Sequence, residues 1–456
     1  MSERRIENAA QMLALVRERN ARHVKVGAFD VDGILRGKYM SAEKFASSLD
    51  KGFGFCNVVL GWDSMDQLYD NVRYTGWHTG YPDASVRLLP ETCRELALEG
   101  DAVFVLGEFA GAAEAICPRA CLRRVLARAK NMGFLVKAGF EYEFFVFEET
   151  PNSVREKRYC GLRPLAPGFF GYSVLRNSVH ADLYRGLLDL CETMDLPLEG
   201  LHEETGPGVL EAALQVDGGL AAADKAALFK TFCKVYMQAR GLMATFMARW
   251  SSDCPGSGGH IHLSLLRADD GAPVFHDAGA EHGISETMRH FIGGQQRHMP
   301  ELAALCAPTV NSFRRLVPGF WAPTNATCGV DNRTCALRVV PGGPSSQRVE
   351  YRVAAADANP YLALAAAIAS GLHGIEQRIE PEAQVQGNAY AKKFPRRLAL
   401  PRSLDEAANR LAASRLAQDY LGEAFVEHFA ATREWEAREF ARAVTDWELA
   451  RYFEII

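Results

Sequence analysis

The sequence predicts an α+β protein in which antiparallel strands pack against large helices. Three stretches carry that prediction. Residues 24–31, VKVGAFDV, lead into DGILRGK and read as strand, turn and strand. Residues 134–148, FLVKAGFEYEFFVFE, are aromatic and β-branched, as a strand requires. ANPYLALAAAIASGLHGI is apolar nearly all round and opens on Asn359 and Pro360, the cap and first position of a buried helix.

The remaining elements follow in chain order. MSERRIENAAQMLALVRERN is polar and reads as a surface helix, without the apolar core of a signal peptide. From the hairpin to about residue 110, short apolar runs alternate with Gly, Pro and Asp, which suits a small α+β domain. The pattern changes near 113–118, so the division is 1–112 and 113–456. A helix starts with Pro118 in its first turn, carries Leu122, Val125, Leu126 and Ala129 as a stripe, and stops at Gly133. Residues 150–177 lack a period and are rich in Pro and Gly, so they read as a long functional loop. Residues 182–195 place Leu183, Leu187, Leu188, Cys191 and Met194 on one helix face, and 222–250 read as one long helix. SLDE at 403–406 is a capping box, and DWELARYFEII is an apolar tail expected to dock. No internal repeat or low-complexity tract occurs.

Composition removes several classes of function. The chain has 456 residues, 48% of them apolar and 23% charged, as in a globular enzyme of two domains or one large one. A net charge of −5 provides no field for nucleic acid and no polybasic membrane patch. No run of 18 apolar residues exists, so no membrane span is expected. The 11 cysteines are scattered, with no CxxC, and Cys117 and Cys121 are the closest pair. An odd number without metal spacing indicates free thiols in a reducing cytoplasm.

The chemistry lies in carboxylates inside strand patterns. Glu141 and Glu143 share one strand face, while Phe140, Tyr142 and Phe144 point to the other. Two carboxylates in an apolar segment repel one another unless a positive group stands beside them. Glu203, Glu204 and Glu211 surround a Gly-Pro-Gly turn, and His260 and His262 enter a strand from a Gly-rich loop. Arg348, Glu350 and Arg352 alternate on a further strand, and Arg315, Arg333 and Arg338 recur nearby. Each segment alone is also compatible with a hydrated strand edge or a structural histidine. Together, oxygen ligands with an imidazole suit Mg²⁺ or Mn²⁺. A metal with clustered arginines suits phosphoryl transfer, although neither a Walker loop nor a kinase signature is present. A metal-dependent hydrolase remains open at this point.

Seven segments in order resemble the glutamine synthetase superfamily over nearly the whole chain: DVDGILRGK, GFEYEFFVF, HEETGPGVLE, GSGGHIHLSL, NSFRRLVPGFWAP, NRTCALRV and RVEYRVAAADANPYLALAAAIASGLHGI. The resemblance implies an N-terminal β-grasp domain over 1–112 and a catalytic domain over 113–456. It implies homo-oligomeric rings, one hexamer or a dodecamer, with sites between subunits. One metal would be held by Glu143, Glu203 and Glu211, the second by Glu141, His260 and Glu350. Arg315 would clamp glutamate, with Arg352 and Gly256 at the same end. Arg333, Arg338 and Arg348 would face the phosphates of ATP, with His262 and Ser264 near the nucleotide; Arg333, Arg352 and Glu350 would act in catalysis. The implied reaction forms γ-glutamyl phosphate, from which an amine displaces phosphate to give an amide.

Departures from the family pattern point to the amine. Ammonia-using members have Glu where this chain has Trp321, and an Asp where Cys56 aligns, though Asp63 lies close by. Val209 replaces a glutamine after the Gly-Pro-Gly turn. Ammonium needs carboxylates to hold it and take its proton. A tryptophan offers an apolar, π-rich wall. The expected substrate is therefore a bulky apolar monoamine, an aromatic one above all. The alternatives are a γ-glutamylpolyamine (putrescine) synthetase, which the DWELARYF tail favours, then glutamine synthetase itself, then a non-catalytic member of the superfamily. The last conflicts with the intact set of six ligands.

Overall fold

The computed structural model describes residues 6–100 and 102–456. Residues 1–5 of the predicted N-terminal helix lie outside the described residues. That helix, α1 (Ala9–Glu18), is capped by Asn8, whose side chain accepts the N–H of Gln11, and it buries Met12 and Val16. The predicted hairpin forms β1 (His23–Phe29) and β2 (Leu35–Ser41). After α2 (Ala42–Lys51) come β3 (Phe53–Cys56), β4 (Asp83–Leu88), β5 (Arg94–Glu95) and β6 (Val103–Phe109). They make a six-stranded sheet in the order β2-β1-β6-β4-β3, with β5 on β6; β1 and β6 are parallel. An apolar core of its own, from Met12 to Ala120, fills this part.

The hairpin turn has a second task. Asp30 Oδ1 accepts the N–H groups of Asp32 and Ile34 at 3.0 and 2.9 Å, and its other oxygen takes Arg36 Nε at 2.9 Å. Burial and the neighbouring Asp32 push Asp30 up to about 7. The same turn docks on the rest of the chain. The Asn359 amide donates to the carbonyls of Asp30 and Val31, and Arg433 pairs with Asp32 at 2.6 Å.

The larger part begins at α3 (Pro118–Asn131), which ends just before Gly133 as predicted. Next come β7 (Phe134–Phe147), α4 (Pro151–Glu156), α5 (Val174–Val179), α6 (Ala181–Thr193), β8 (Leu198–Glu203), β9 (Val209–Leu214), β10 (Asp217–Gly218), α7 (Gly219–Gln238), β11 (Met243–Thr245) and β12 (Gly259–Arg267). Then follow α8 (Glu286–Cys306), α9 (Ser312–Arg315), β13 (Cys328–Val330), β14 (Leu337–Val340), β15 (Arg348–Tyr351), α10 (Pro360–Glu376), α11 (Leu404–Ala412), α12 (Arg415–Leu421), α13 (Glu423–Arg442) and α14 (Asp446–Tyr452). The sheet runs β13-β14-β15-β12-β7-β9-β8, with β10 and β11 also on β7. Helices α3, α7, α8 and α10 cover one face and close the main core. At the crossing of α8 and α10, a Cβ on Gly294 would stand 2.2 Å from the Ser370 carbonyl, so only glycine lets the two backbones meet.

Several predicted elements are corrected. The 150–177 loop contains α4 and the start of α5. Leu188 is exposed on α6, and Tyr184 and Leu190 are buried in the face expected of it. The long helix stops at Gln238, because Gly241 at φ +71° turns the chain into β11, which pairs with β7. Ser403 caps α11 by accepting the Glu406 N–H, but Glu406 returns its hydrogen bond to Arg402, one residue earlier than a capping box requires. The C-terminal α14 buries none of its residues within the single chain. All 11 cysteines are free.

Candidate active site

Antiparallel pairing places directly opposed side chains on the same sheet face. In this sheet His202 opposes Glu211, Glu211 opposes Glu143, Glu141 opposes His260, His262 opposes Glu350, and Glu350 opposes Arg338. Glu141, Glu143, Glu211, Glu350, His260 and His262 of the prediction therefore form one continuous stripe across six strands, with His202 at one end and Arg338 at the other. The alternate residues Phe140, Tyr142 and Phe144 enter the core, each at most 2% exposed. The face opposite the helices thus carries acidic and basic side chains together.

At one end of the stripe the charges are paired. Glu350, 1% exposed, receives Arg352 on one oxygen and Arg338 at 3.1 Å on the other. His260 Nδ1 lies 3.4 Å from Glu350 and 3.8 Å from Glu141. His262 Nε2 lies 2.9 Å from Glu141, and its Nδ1 accepts Arg348 Nε at 3.0 Å. His262, expected near the nucleotide, thus also joins this cluster. Burial would raise Glu350, but Arg352, His260 and His262 outweigh it and hold the carboxyl at about 2. Burial opposes the shift of Glu141 too, and the two imidazoles hold it well below the usual range.

Arg315 is 3% exposed and has no carboxylate partner among the described residues. Its guanidinium donates to the carbonyls of Val353 and Arg352, each at 3.2 Å, and to His260 Nε2 at 3.4 Å. Burial pushes it down to about 10. An unpaired buried cation of this kind is a receptor for an anion. The Gly-rich loop permits it. A Cβ at Gly256 would meet the Arg315 stem at 2.8 Å, and one at Gly258 would meet His260 Nε2 at 2.6 Å. The Gly258 N–H donates to Glu143 Oε2 at 2.5 Å.

At the other end one predicted ligand is replaced. Glu203 opposes Leu210, on the face away from Glu211, and is 4% exposed. Burial raises its carboxyl. Glu204, the next residue, stands in the stripe instead, with His202 Nε2 at 3.6 Å from both Glu204 and Glu211. One ligand atom from each of these three lies within 4.8 Å of the others, as also holds for Glu141, His262 and Glu350. Burial, then Glu143, Glu141 and Glu204, push Glu211 up to about 9. A cluster that protonates itself for want of positive charge suits a divalent cation. Tyr172 stacks on His202 at 4.4 Å and 10°. The sequence reading missed His202 and Tyr172; period two from Glu204 would have found His202.

Other expected residues are spread around the stripe. Ser264 lies on the stripe's face, opposite Lys137. Arg333 is exposed in the turn before β14. Trp321 has φ +60°, a strained conformation for a bulky residue. Its carbonyl accepts Arg352 Nη2 at 3.4 Å, and its side chain is exposed. Cys56 is exposed at the end of β3 in the other sheet, with Sγ 3.5 Å from the Tyr81 carbonyl. Asp63 is buried and caps its own turn, accepting the N–H groups of Met65 and Gln67.

The model of the glutamine synthetase catalytic domain matches residues 115–452. The chain belongs to the glutamine synthetase family. It is 44% identical over 440 residues to a type-1 glutamine synthetase 2 of Dictyostelium discoideum, covering 95% of this chain and 84% of the relative. It is 34% identical to a glutamate–isopropylamine ligase of a Pseudomonas species, covering 99% of both chains. A γ-glutamylethanolamide synthetase of Streptomyces coelicolor is 38% identical, with 93% of this chain and 91% of that one covered. Among solved structures, apo GmaS superposes with a TM-score of 0.84 at 26% identity, over 97% of this chain and 99% of that one. The chain is therefore an ATP-dependent ligase that forms C–N bonds, in a family that uses divalent metal ions. Among the described residues no helix is long and apolar enough to cross a membrane.

Proposed function

We propose that the protein joins the γ-carboxylate of glutamate to a bulky apolar monoamine, an aromatic one in preference, through γ-glutamyl phosphate. The observation that carries this reading is Trp321, an exposed indole on a strained turn whose carbonyl is tied to Arg352 beside the paired cluster. Relatives named for isopropylamine and ethanolamide ligation support an amine larger than ammonia. Arg315, with Arg352 and Gly256 beside it, holds a glutamate carboxylate. Arg333, Arg338 and Arg348, with His262 and Ser264, receive ATP. Two or three Mg²⁺ or Mn²⁺ ions, held by Glu141, His260 and Glu350 and by Glu143, Glu204 and Glu211, neutralise phosphate charge when bound. The γ-carboxylate oxygen attacks the terminal phosphorus and ADP leaves. The amine nitrogen then attacks the side-chain carboxyl carbon, phosphate leaves with that oxygen, and the departing phosphate takes the proton the nitrogen loses. An arylamine is neutral at pH 7, so a pocket with Trp321 and Cys56 in place of acids accepts it without an anionic base.

The same reading includes a β-grasp domain over 1–112, a catalytic domain over 113–456, and ring oligomers in the cytoplasm. The central parallel pair β1/β6 with α2 across the sheet supports the first. The placement of Cys56 in the other sheet and the exposed α14 support sites shared between subunits. The relative named as a glutamine synthetase, at 44% identity, favours a second reading with ammonia as the nucleophile. A phosphate-release assay with glutamate, ATP and an amine panel decides. Benzylamine- or aniline-type amines are expected to exceed isopropylamine, putrescine and ammonium. Equal or better turnover of ammonium or putrescine would overturn the proposal.

A further inference from the structure

We infer that His202 is itself a ligand of the cation bound at Glu204 and Glu211, through Nε2. The inference rests on the reading of this end of the stripe as a cation site, and three observations carry it. His202 Nε2 is 3.6 Å from a carboxylate oxygen of each glutamate, and no hydrogen-bond partner takes that nitrogen. Ligand atoms about 2.1–2.3 Å from a common ion and near right angles lie roughly 3 Å apart, so a small contraction completes the set. The ring is also held in place. Tyr172 stacks on it at 4.4 Å and 10°, from a backbone at φ +58° whose N–H donates to the Glu203 carbonyl at 2.7 Å.

A carboxylate-only site and one with an imidazole differ in metal preference. Nitrogen donors favour later divalent metals over Mg²⁺, so His202 biases this site toward Mn²⁺. Tyr172 then acts as a positioning residue, because loss of its stacked ring frees the imidazole to rotate out of the cluster.

The test uses the full-length protein without nucleotide and reads metal binding, not amide synthesis. Mn²⁺ titrations followed by EPR, with Mg²⁺ competition, compare wild type with His202→Gln, Tyr172→Leu and Glu204→Gln. The expected result is a roughly 10- to 100-fold loss of Mn²⁺ affinity in His202→Gln with a smaller loss for Mg²⁺. Electron spin-echo modulation from imidazole nitrogen should lose the His202 contribution and keep that of His260. Tyr172→Leu should give a weaker version of the same pattern, and it serves if His202→Gln does not fold. Unchanged nitrogen modulation and an unchanged Mn²⁺/Mg²⁺ ratio would overturn the inference. Loss of Mn²⁺ in Glu204→Gln alone would leave the cation site standing while removing His202 from it. The amine panel can fail without touching any of these readings.

Discussion

The two ends of the charged stripe solve the same electrostatic problem in opposite ways. Around Glu350 the protein supplies its own positive charge, from Arg338 and Arg352, with the imidazoles of His260 and His262 beside them, and the carboxyl sits at about 2. Around Glu211 it supplies almost none, and the carboxyl is pushed up to about 9. Both clusters come from the same strand alternation on the same sheet. The difference lies in the neighbouring strands: β14 and β15 bring arginines, whereas β8 and β9 bring further glutamates. One end is preorganised, and the other is built around a charge that must arrive from outside.

The largest break in that comparison is Glu350→Ala. It strips the common partner from Arg338 and Arg352, the latter only 5% exposed. Removing one member of a buried charged network costs roughly 3–5 kcal/mol, and the same loss at the transition state is about 10²- to 10⁴-fold in rate. Phosphate release with glutamate, ATP and amine should fall by that much, and the thermal midpoint should fall with it. Retained activity would mean that the paired end is structural only.

Glu211→Gln should act in the opposite direction on stability. In metal-free protein the fold keeps a proton on Glu211 up to about 9, whereas an ordinary glutamate releases it near 4.5. Between those values the unfolded chain loses the proton first, so stability falls as pH rises; below 4.5 the penalty is absent. At pH 7 the substitution should stabilise the metal-free protein by up to about 3 kcal/mol and flatten this pH dependence. It should also shrink the rise in thermal midpoint that Mn²⁺ gives wild type, leaving the part that comes from the Glu350 end. Denaturant titrations in EDTA across pH 5–9 test the first part, and thermal scans with added metal test the second.

How far such a comparison can be read from sequence depends on the periodicity. Period two gave Glu141 with Glu143 and His260 with His262 on common faces, since alternation in a strand leaves no other arrangement. Two adjacent glutamates defeat the same rule. Either Glu203 or Glu204 satisfies a motif, and only the register of His202 opposite Glu211 selects Glu204. The helix over 222–250 was overextended for a related reason, because an apolar run reads alike as helix or as the edge strand β11. The conformation of Trp321 was illegible, since a left-handed tryptophan has no local signal and is imposed by its surroundings.

A smaller effect is expected at that tryptophan. Trp321→Ala should reduce kcat/KM for an aniline-type amine by about 2- to 10-fold, corresponding to roughly 0.5–1.5 kcal/mol of aromatic contact. The KM for glutamate should hold, because Arg352 bonds the Trp321 carbonyl rather than its ring. A parallel loss with ammonium would place the indole in loop packing instead of the amine pocket.

The smallest effect sharpens the comparison most. Glu203 and Glu204 are neighbours with the same chemistry, so Glu203→Gln and Glu204→Gln differ only in the face of the sheet they alter at the end of β8. Glu203 is 4% exposed and opposes Leu210, and burial already favours its neutral form. An amide there replaces an acid that gains nothing from being charged, so Mn²⁺ affinity should be unchanged and stability equal or slightly higher. In Glu204→Gln the affinity should fall by at least about tenfold, as loss of a ligand implies. If instead Glu203→Gln lost the metal, the strand would be in the other register, and a one-residue slip would send Glu204 and His202 to the core side together.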